Sequence, residues 1–176
     1  MNRVYNFGAG PAMLPTSVME KARDEFLDWN GMGASVIEIS HRSKEFEGLL
    51  TETDQLMREI AGLPDDFEIL YMHGSAQMQF AAVPFNLLGL KPAHKAAYLE
   101  TGNFAQLARK EASRFGNITI AASGEAEGFS RIPDFDPASL DPETSYVHLT
   151  SNNTIFGTRW QQFPDTGAIP LVAVRY

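Results

Sequence analysis

No cysteine occurs in the 176 residues, which excludes disulfides, thiolate metal sites and cysteine nucleophiles. No long apolar run is present, and the N-terminus lacks the basic-then-apolar pattern of a signal peptide. A cytoplasmic location is expected on those grounds. Positive charge is scarce, with 14 Lys and Arg against 22 Asp and Glu and a formal net charge of −8. That balance argues against nucleic acid or an anionic membrane as the partner, and an anionic substrate would need a local basic site. There is no internal repeat, no Walker lysine, no G-x-G-x-x-G turn and no G-x-S-x-G elbow. His41, His73, His94 and His148 include no pair at helix-face ligand spacing, so no metal site is expected.

What is present is an ordinary globular composition, 44% hydrophobic and 20% charged, in a chain long enough for one domain with a sizeable core. Glycine and proline punctuate Asn6 to Pro15, so no regular structure is expected there. The Ser17/Glu20 spacing suggests a capping box. It opens a helix whose apolar stripe runs through Val18, Met19, Ala22, Phe26 and Trp29 to a stop at Gly31 and Gly33. Ser35 to Ile39 reads as a short extended segment. A longer helix from Ser43 carries Phe46, Leu49, Leu50, Thr53, Leu56, Met57 and Ile60 on one face and stops at Gly62, ahead of Pro64. Strands are expected at Phe67 to Met72, Ala96 to Leu99, Asn117 to Ala122, Tyr146 to Thr150 and Ile169 to Val174. Helices are expected from Gln77 to Leu88, kinked at Pro84, and from Phe104 to Phe115. This alternation predicts an α/β fold with three layers and a mostly parallel sheet, whose ligands bind at the carboxyl ends of the strands.

Four segments hold candidate chemistry. In Tyr71 to Phe80, a turn of small residues leads into a helix N-terminus, where unpaired N–H groups and the helix dipole can seat a phosphate; an ordinary strand-to-helix turn is the competing reading. Ser40 to Glu45 contains His41 and Arg42, able to clamp a phosphate or carboxylate, or to form only a solvated turn in which Ser43 caps the helix. In Thr101 to Phe104 an aromatic enters another helix, where it can stack on a flat heterocycle or simply belong to the core. Thr150 to Gly157 groups hydroxyls and amides at a strand end, as a hydrogen-bonding site or a plain Asx-type turn.

Taken in order, Asn6-Phe7-Gly8-Ala9-Gly10-Pro11-Ala12-Met13-Leu14-Pro15, Ser40-His41-Arg42-Ser43-Lys44-Glu45-Phe46 and Gln79-Phe80-Ala81-Ala82-Val83-Pro84, with Asn152, Thr154 and Gly157, resemble the phosphoserine aminotransferases. These are class-V, fold-type-I enzymes that depend on pyridoxal 5'-phosphate (PLP). The resemblance runs from about Tyr5 to Ala173 and covers about the first half of such an enzyme. It implies the PLP-transferase large domain over 16–176, incomplete at its C-terminus, with 1–15 belonging to the small domain. It implies that Ala76 and Gln77 bind the PLP phosphate, that Phe104 stacks on the pyridine ring where the family usually has tryptophan, and that Thr154 bonds the phenolic oxygen. It implies that His41 and Arg42 contact the anionic substrate, across the interface of a homodimer. The family reaction exchanges an amino group between glutamate and 3-phosphohydroxypyruvate, in L-serine and pyridoxine biosynthesis.

Two expected residues do not appear. Where the family ends a strand with the aspartate that pairs with the pyridinium nitrogen, this sequence has Val174 after Ala173. The Schiff-base lysine is also missing, since Lys21, Lys44, Lys91, Lys95 and Lys110 all stand outside its motif. No catalytic residue is therefore assigned, and the chain alone is expected to be inactive. The alternatives are a non-catalytic remnant that acts by association, and another class-V PLP enzyme such as a desulfurase.

Overall fold

The computed structural model describes residues 3–8 and 10–175; Ala9 of the N-terminal motif and Tyr176 lie outside them. The chain divides into two compact units, 1–72 and 73–176.

In the first unit the described residues between Asn6 and Pro15 are irregular, as the punctuation predicts. The Asn6 side chain organises them, accepting from Gly8 N (3.0 Å) and donating to the Pro11 carbonyl (2.6 Å). Helix α1 (Thr16–Asp24) begins one residue before Ser17, with Pro15 as N-cap and no side-chain cap. The expected capping box does not form, because Ser17 already stands within the first turn. The helix also stops short of Gly31. Asp28 turns the chain by accepting from Gly33 N (2.6 Å), and Trp29–Gly31 is a 3₁₀ turn. Ser35 to Ile39 is a turn rather than an extended segment, because the Glu38 carboxylate folds back to accept from Ser35 N (2.9 Å) while Glu38 N donates to the Ser35 carbonyl (2.9 Å). Helix α2 (Lys44–Ala61) follows its periodicity, with the Ser43 hydroxyl accepting from Phe46 N (3.3 Å).

The expected strand at Phe67 to Met72 is absent. Strand propensity measures how well side chains suit a sheet surface, and a strand also needs a neighbour to complete its ladder. Among the described residues no strand runs beside this one. Its Phe67, Leu70, Tyr71 and Met72 side chains are exposed.

The second unit is built on a four-stranded parallel sheet in the order β2-β1-β3-β6. Its strands are β1 (Lys95–Glu100), β2 (Asn117–Ser123), β3 (Thr144–Thr150) and β6 (Leu171–Val174). Helices α3 (Ala76–Leu87) and α4 (Asn103–Ala112) complete the unit. A two-stranded antiparallel hairpin, β4 (Asn152–Asn153) with β5 (Thr158–Arg159), follows β3 and had no counterpart in the sequence pattern. The central strands β1 and β3 are buried along almost their whole length, as parallel strands covered on both faces must be. Side-chain alternation divides the core. Ala96, Tyr98 and Tyr146 face Phe80, Leu88, Ala108 and Ala112, while Ala97, Leu99, Val147 and Leu149 pack against Phe135, Leu140, Trp160 and Ile169. α3 continues through the buried Pro84 to Leu87.

From β1 the chain moves outward to β2, then returns to the other side of β1 to form β3. The strand order therefore reverses between β1 and β3, and the crevice outside their carboxyl ends, after Glu100 and Thr150, is where sheets of this kind bind ligands.

Candidate functional site

The site starts with the two loops at that switch point. Thr150 ends β3 and Thr101 directly follows β1, with their hydroxyls 3.3 Å apart. Both donate to Asn153 Oδ1, at 3.2 and 3.4 Å, and Asn153 Nδ2 donates to Thr158 Oγ1 at 3.0 Å. All three of Thr101, Thr150 and Asn153 are buried. Phe104 lies in the first turn of α4, partly buried against the core on the helix side of the sheet. Thr154 opens the β4–β5 turn and is exposed.

Ala76 and Gln77 are the first two residues of α3, and Ala76 packs against the same core cluster as Phe104. The first intrahelical bonds run from Met78 N and Gln79 N to the Ser75 carbonyl (2.9 and 3.4 Å), and the Ser75 side chain makes no cap bond. The Ala76 and Gln77 amides are thus the orphan donors of a helix start, aimed outward at its positive end. The turn before them needs Gly74, which has φ of +104°, and a Cβ there would stand 3.0 Å from Met78 Sδ. The helix start exists without the strand expected ahead of it. Two unpaired amides at a helix start suit the phosphate of a bound ligand.

Behind these loops lies Glu100, 1% exposed at the end of β1. It accepts from Arg109 Nε of α4 and, at 3.4 Å, from Ser123 Oγ of β2. His148 of β3 is fully buried against the helix side of the sheet. Its ring stacks on Tyr98 at 4.5 Å and meets Phe80 edge-on at 6.3 Å, and among the described residues neither ring nitrogen has a hydrogen-bond partner. Burial lowers its pKa to about 3. Burial raises the Tyr146 hydroxyl to about 12, and raises Tyr98 further, helped by its bond to Tyr146 at 2.9 Å. The sequence pattern placed Asn153 in a hydrogen-bonding segment without naming its partners, and gave no individual role to Glu100, Arg109 or His148. The one available signal was Gly102, directly after a strand end, where a neighbouring side chain leaves no room for a Cβ.

His41 and Arg42 lie in the first unit, in an exposed turn ahead of α2, with the Arg42 amide donating to Ser40 Oγ (3.2 Å). Among the described residues no cluster of His, Asp or Glu could hold a metal ion, and no helix is long and apolar enough to cross a membrane.

The family model for class-V aminotransferases matches residues 4–170. The chain belongs to that family. This class-V aminotransferase chain is 47% identical over 180 residues to phosphoserine aminotransferase of Nitrosomonas europaea, covering 98% of this chain and 48% of that protein. The solved phosphoserine aminotransferase of Bacillus circulans subsp. alkalophilus superposes with a TM-score of 0.90 at 40% identity, covering 97% of this chain and 47% of that one. The PLP-bound enzyme of Trichomonas vaginalis superposes with a TM-score of 0.85 at 34% identity, covering 97% of this chain and 50% of that one. The chain spans about half the length of the curated relatives it matches.

Proposed function

We propose that these residues form the cofactor-phosphate portion of a PLP-dependent transaminase acting between glutamate and 3-phosphohydroxypyruvate. The observation that carries this reading is the pair of unpaired amides at Ala76 and Gln77. When bound, PLP supplies an electron sink for negative charge developing at the substrate α-carbon. The Ala76 and Gln77 amides would hold its phosphate, the Phe104 ring would stack on its pyridine, and the Thr154 hydroxyl would bond its phenolic oxygen. In this reading 1–15 belongs to the small domain and 16–176 to the large one. His41 and Arg42, exposed ahead of α2, would meet the anionic substrate across a homodimer interface. The protein would work in the cytoplasm on small molecules, with neither nucleic acid nor a membrane as partner.

The described residues hold no lysine suited to the Schiff base. In the second unit, Lys95 starts β1 at the end remote from the crevice and pairs with Asp141 (2.7 Å), Lys91 donates to the Pro142 carbonyl, and Lys110 lies roughly two turns along α4 from Phe104. Val174, where the resemblance calls for aspartate, packs in the core. The 176 residues alone are therefore expected to bind PLP without turning over phosphoserine. Measurable transamination by the purified chain would sink that expectation.

Ala76→Pro tests the phosphate seat directly. Proline is tolerated at the first helical position, and Ser75 before it is already extended, at φ −106° and ψ 168°. The substitution removes one amide and leaves the helix in place. Affinity for PLP and for inorganic phosphate is expected to fall about tenfold, the effect of losing one hydrogen bond to a charged group, with little change in thermal midpoint. Calorimetric titration measures both affinities, and equal binding by the variant and the parent would remove the support for this seat.

A further inference from the structure

Asn153 reaches groups that belong to two different loops. Its Oδ1 accepts from Thr101 at the end of β1 and from Thr150 at the end of β3, while its Nδ2 donates to Thr158 across the β4–β5 hairpin. Its backbone carbonyl accepts from Gly157 N at 2.8 Å, closing the turn that contains Thr154. The loop into α4 presses against the same side chain. A Cβ on Gly102 would stand 2.6 Å from Asn153 Oδ1 and 3.2 Å from Phe156 Cδ2. Gly102 has an extended backbone at φ 167°, so space alone requires glycine there.

The β1–β3 ladder registers its last pair at Leu99 and Leu149. Beyond it the two chains separate, one into α4 and the other into the hairpin. Beside the Thr101–Thr150 hydroxyl contact, Asn153 bonds across this gap, and it is 3% exposed. Phe104 follows Gly102 by two residues and Thr154 follows Asn153 directly.

We propose that Asn153 is a positioning residue that couples the β1–α4 loop to the β4–β5 hairpin, so that Phe104 and Thr154 are held as one unit around the cofactor ring. This inference rests on the PLP reading above. Removing the side chain leaves the Thr101 and Thr150 hydroxyls with only each other and frees the two loops to move apart. The phosphate seat on α3 makes no bond to Asn153 and should not respond.

The test compares the full chain with Asn153→Ala and Asn153→Asp, the latter keeping the acceptor for both threonines. In the ligand-free protein, Asn153→Ala is expected to raise amide hydrogen exchange at 102–106 as well as at 153–158, with α3 unchanged. Faster exchange in the hairpin alone would overturn the coupling. In titrations, Asn153→Ala is expected to weaken PLP binding about tenfold while inorganic phosphate binds as in the parent, and Asn153→Asp is expected to regain most of the loss. Equal weakening of PLP and phosphate would mark a merely structural residue and overturn the proposal, as would unchanged PLP binding. If the parent chain binds no PLP, the functional reading fails and the positioning role fails with it, a result separate from a parent that binds and a variant that does not differ.

Discussion

Replacing Arg109 with methionine is expected to destabilise the fold by about 3 kcal/mol, the cost of leaving a buried carboxylate without its counter-charge. Glu100 is the partner at risk. It is 1% exposed, and among the described residues its carboxylate has, besides Arg109, only the long 3.4 Å contact from Ser123 Oγ. The Arg109 side chain is 33% exposed, so water can reach part of the vacated space, and the lower end of the usual range for a broken buried pair applies. The pair is not itself a large source of stability, because two charges had to leave water to form it. Glu100→Leu combined with Arg109→Met should therefore recover most of the loss. Urea unfolding of the two single variants and the double variant measures this as a cycle. A single Arg109→Met variant that loses less than about 1 kcal/mol would show that Glu100 is better solvated than its burial indicates.

A second large effect should appear on mild acidification, with His148 as its source. The ring is fully buried, with both nitrogens unpartnered, and its pKa falls to about 3 because burial disfavours the charged form. The side chains packed on it are Tyr98, by stacking, and Phe80, edge-on, with Tyr146 bonded to Tyr98. The two tyrosine hydroxyls are shifted upward and stay neutral through the acid range. The folded-state value lies below that of the unfolded chain, near 6.5, so the unfolded chain takes up the proton first. The stability that depends on neutral His148 is complete above that value and is lost as pH falls toward 3. Between pH 7 and pH 5 the loss from this one group is about 2 kcal/mol. His148→Phe keeps an aromatic face for Tyr98 and an edge for Phe80 while removing the titration. Its stability should change less than the parent's over the same interval, by about the same 2 kcal/mol. Parallel pH profiles for the two proteins would show that the buried ring is not what responds to acid.

The amino-acid sequence by itself determined the elements whose signal is local. Helix α2 follows from the spacing of Phe46, Leu49, Leu56 and Ile60 between Ser43 and Gly62, and β1 and β3 follow from apolar runs bounded by turns. The start of α3 was legible for the same reason, since a helix that begins after Gly74 and Ser75 leaves free amides in any tertiary setting. Tertiary structure decided whatever needs a partner distant in sequence. Phe67 to Met72 has a strand's composition without a neighbouring strand, and Ser35 to Ile39 was closed into a turn by one carboxylate. Glu100 pairs with Arg109, and Asn153 with Thr101, only because the parallel sheet brings strand ends and helix faces together. The helix start proposed as a phosphate seat was therefore readable from ten consecutive residues. The proposed clamp on the ring was not, because its bond between loops, Thr101 to Asn153, joins residues 52 positions apart.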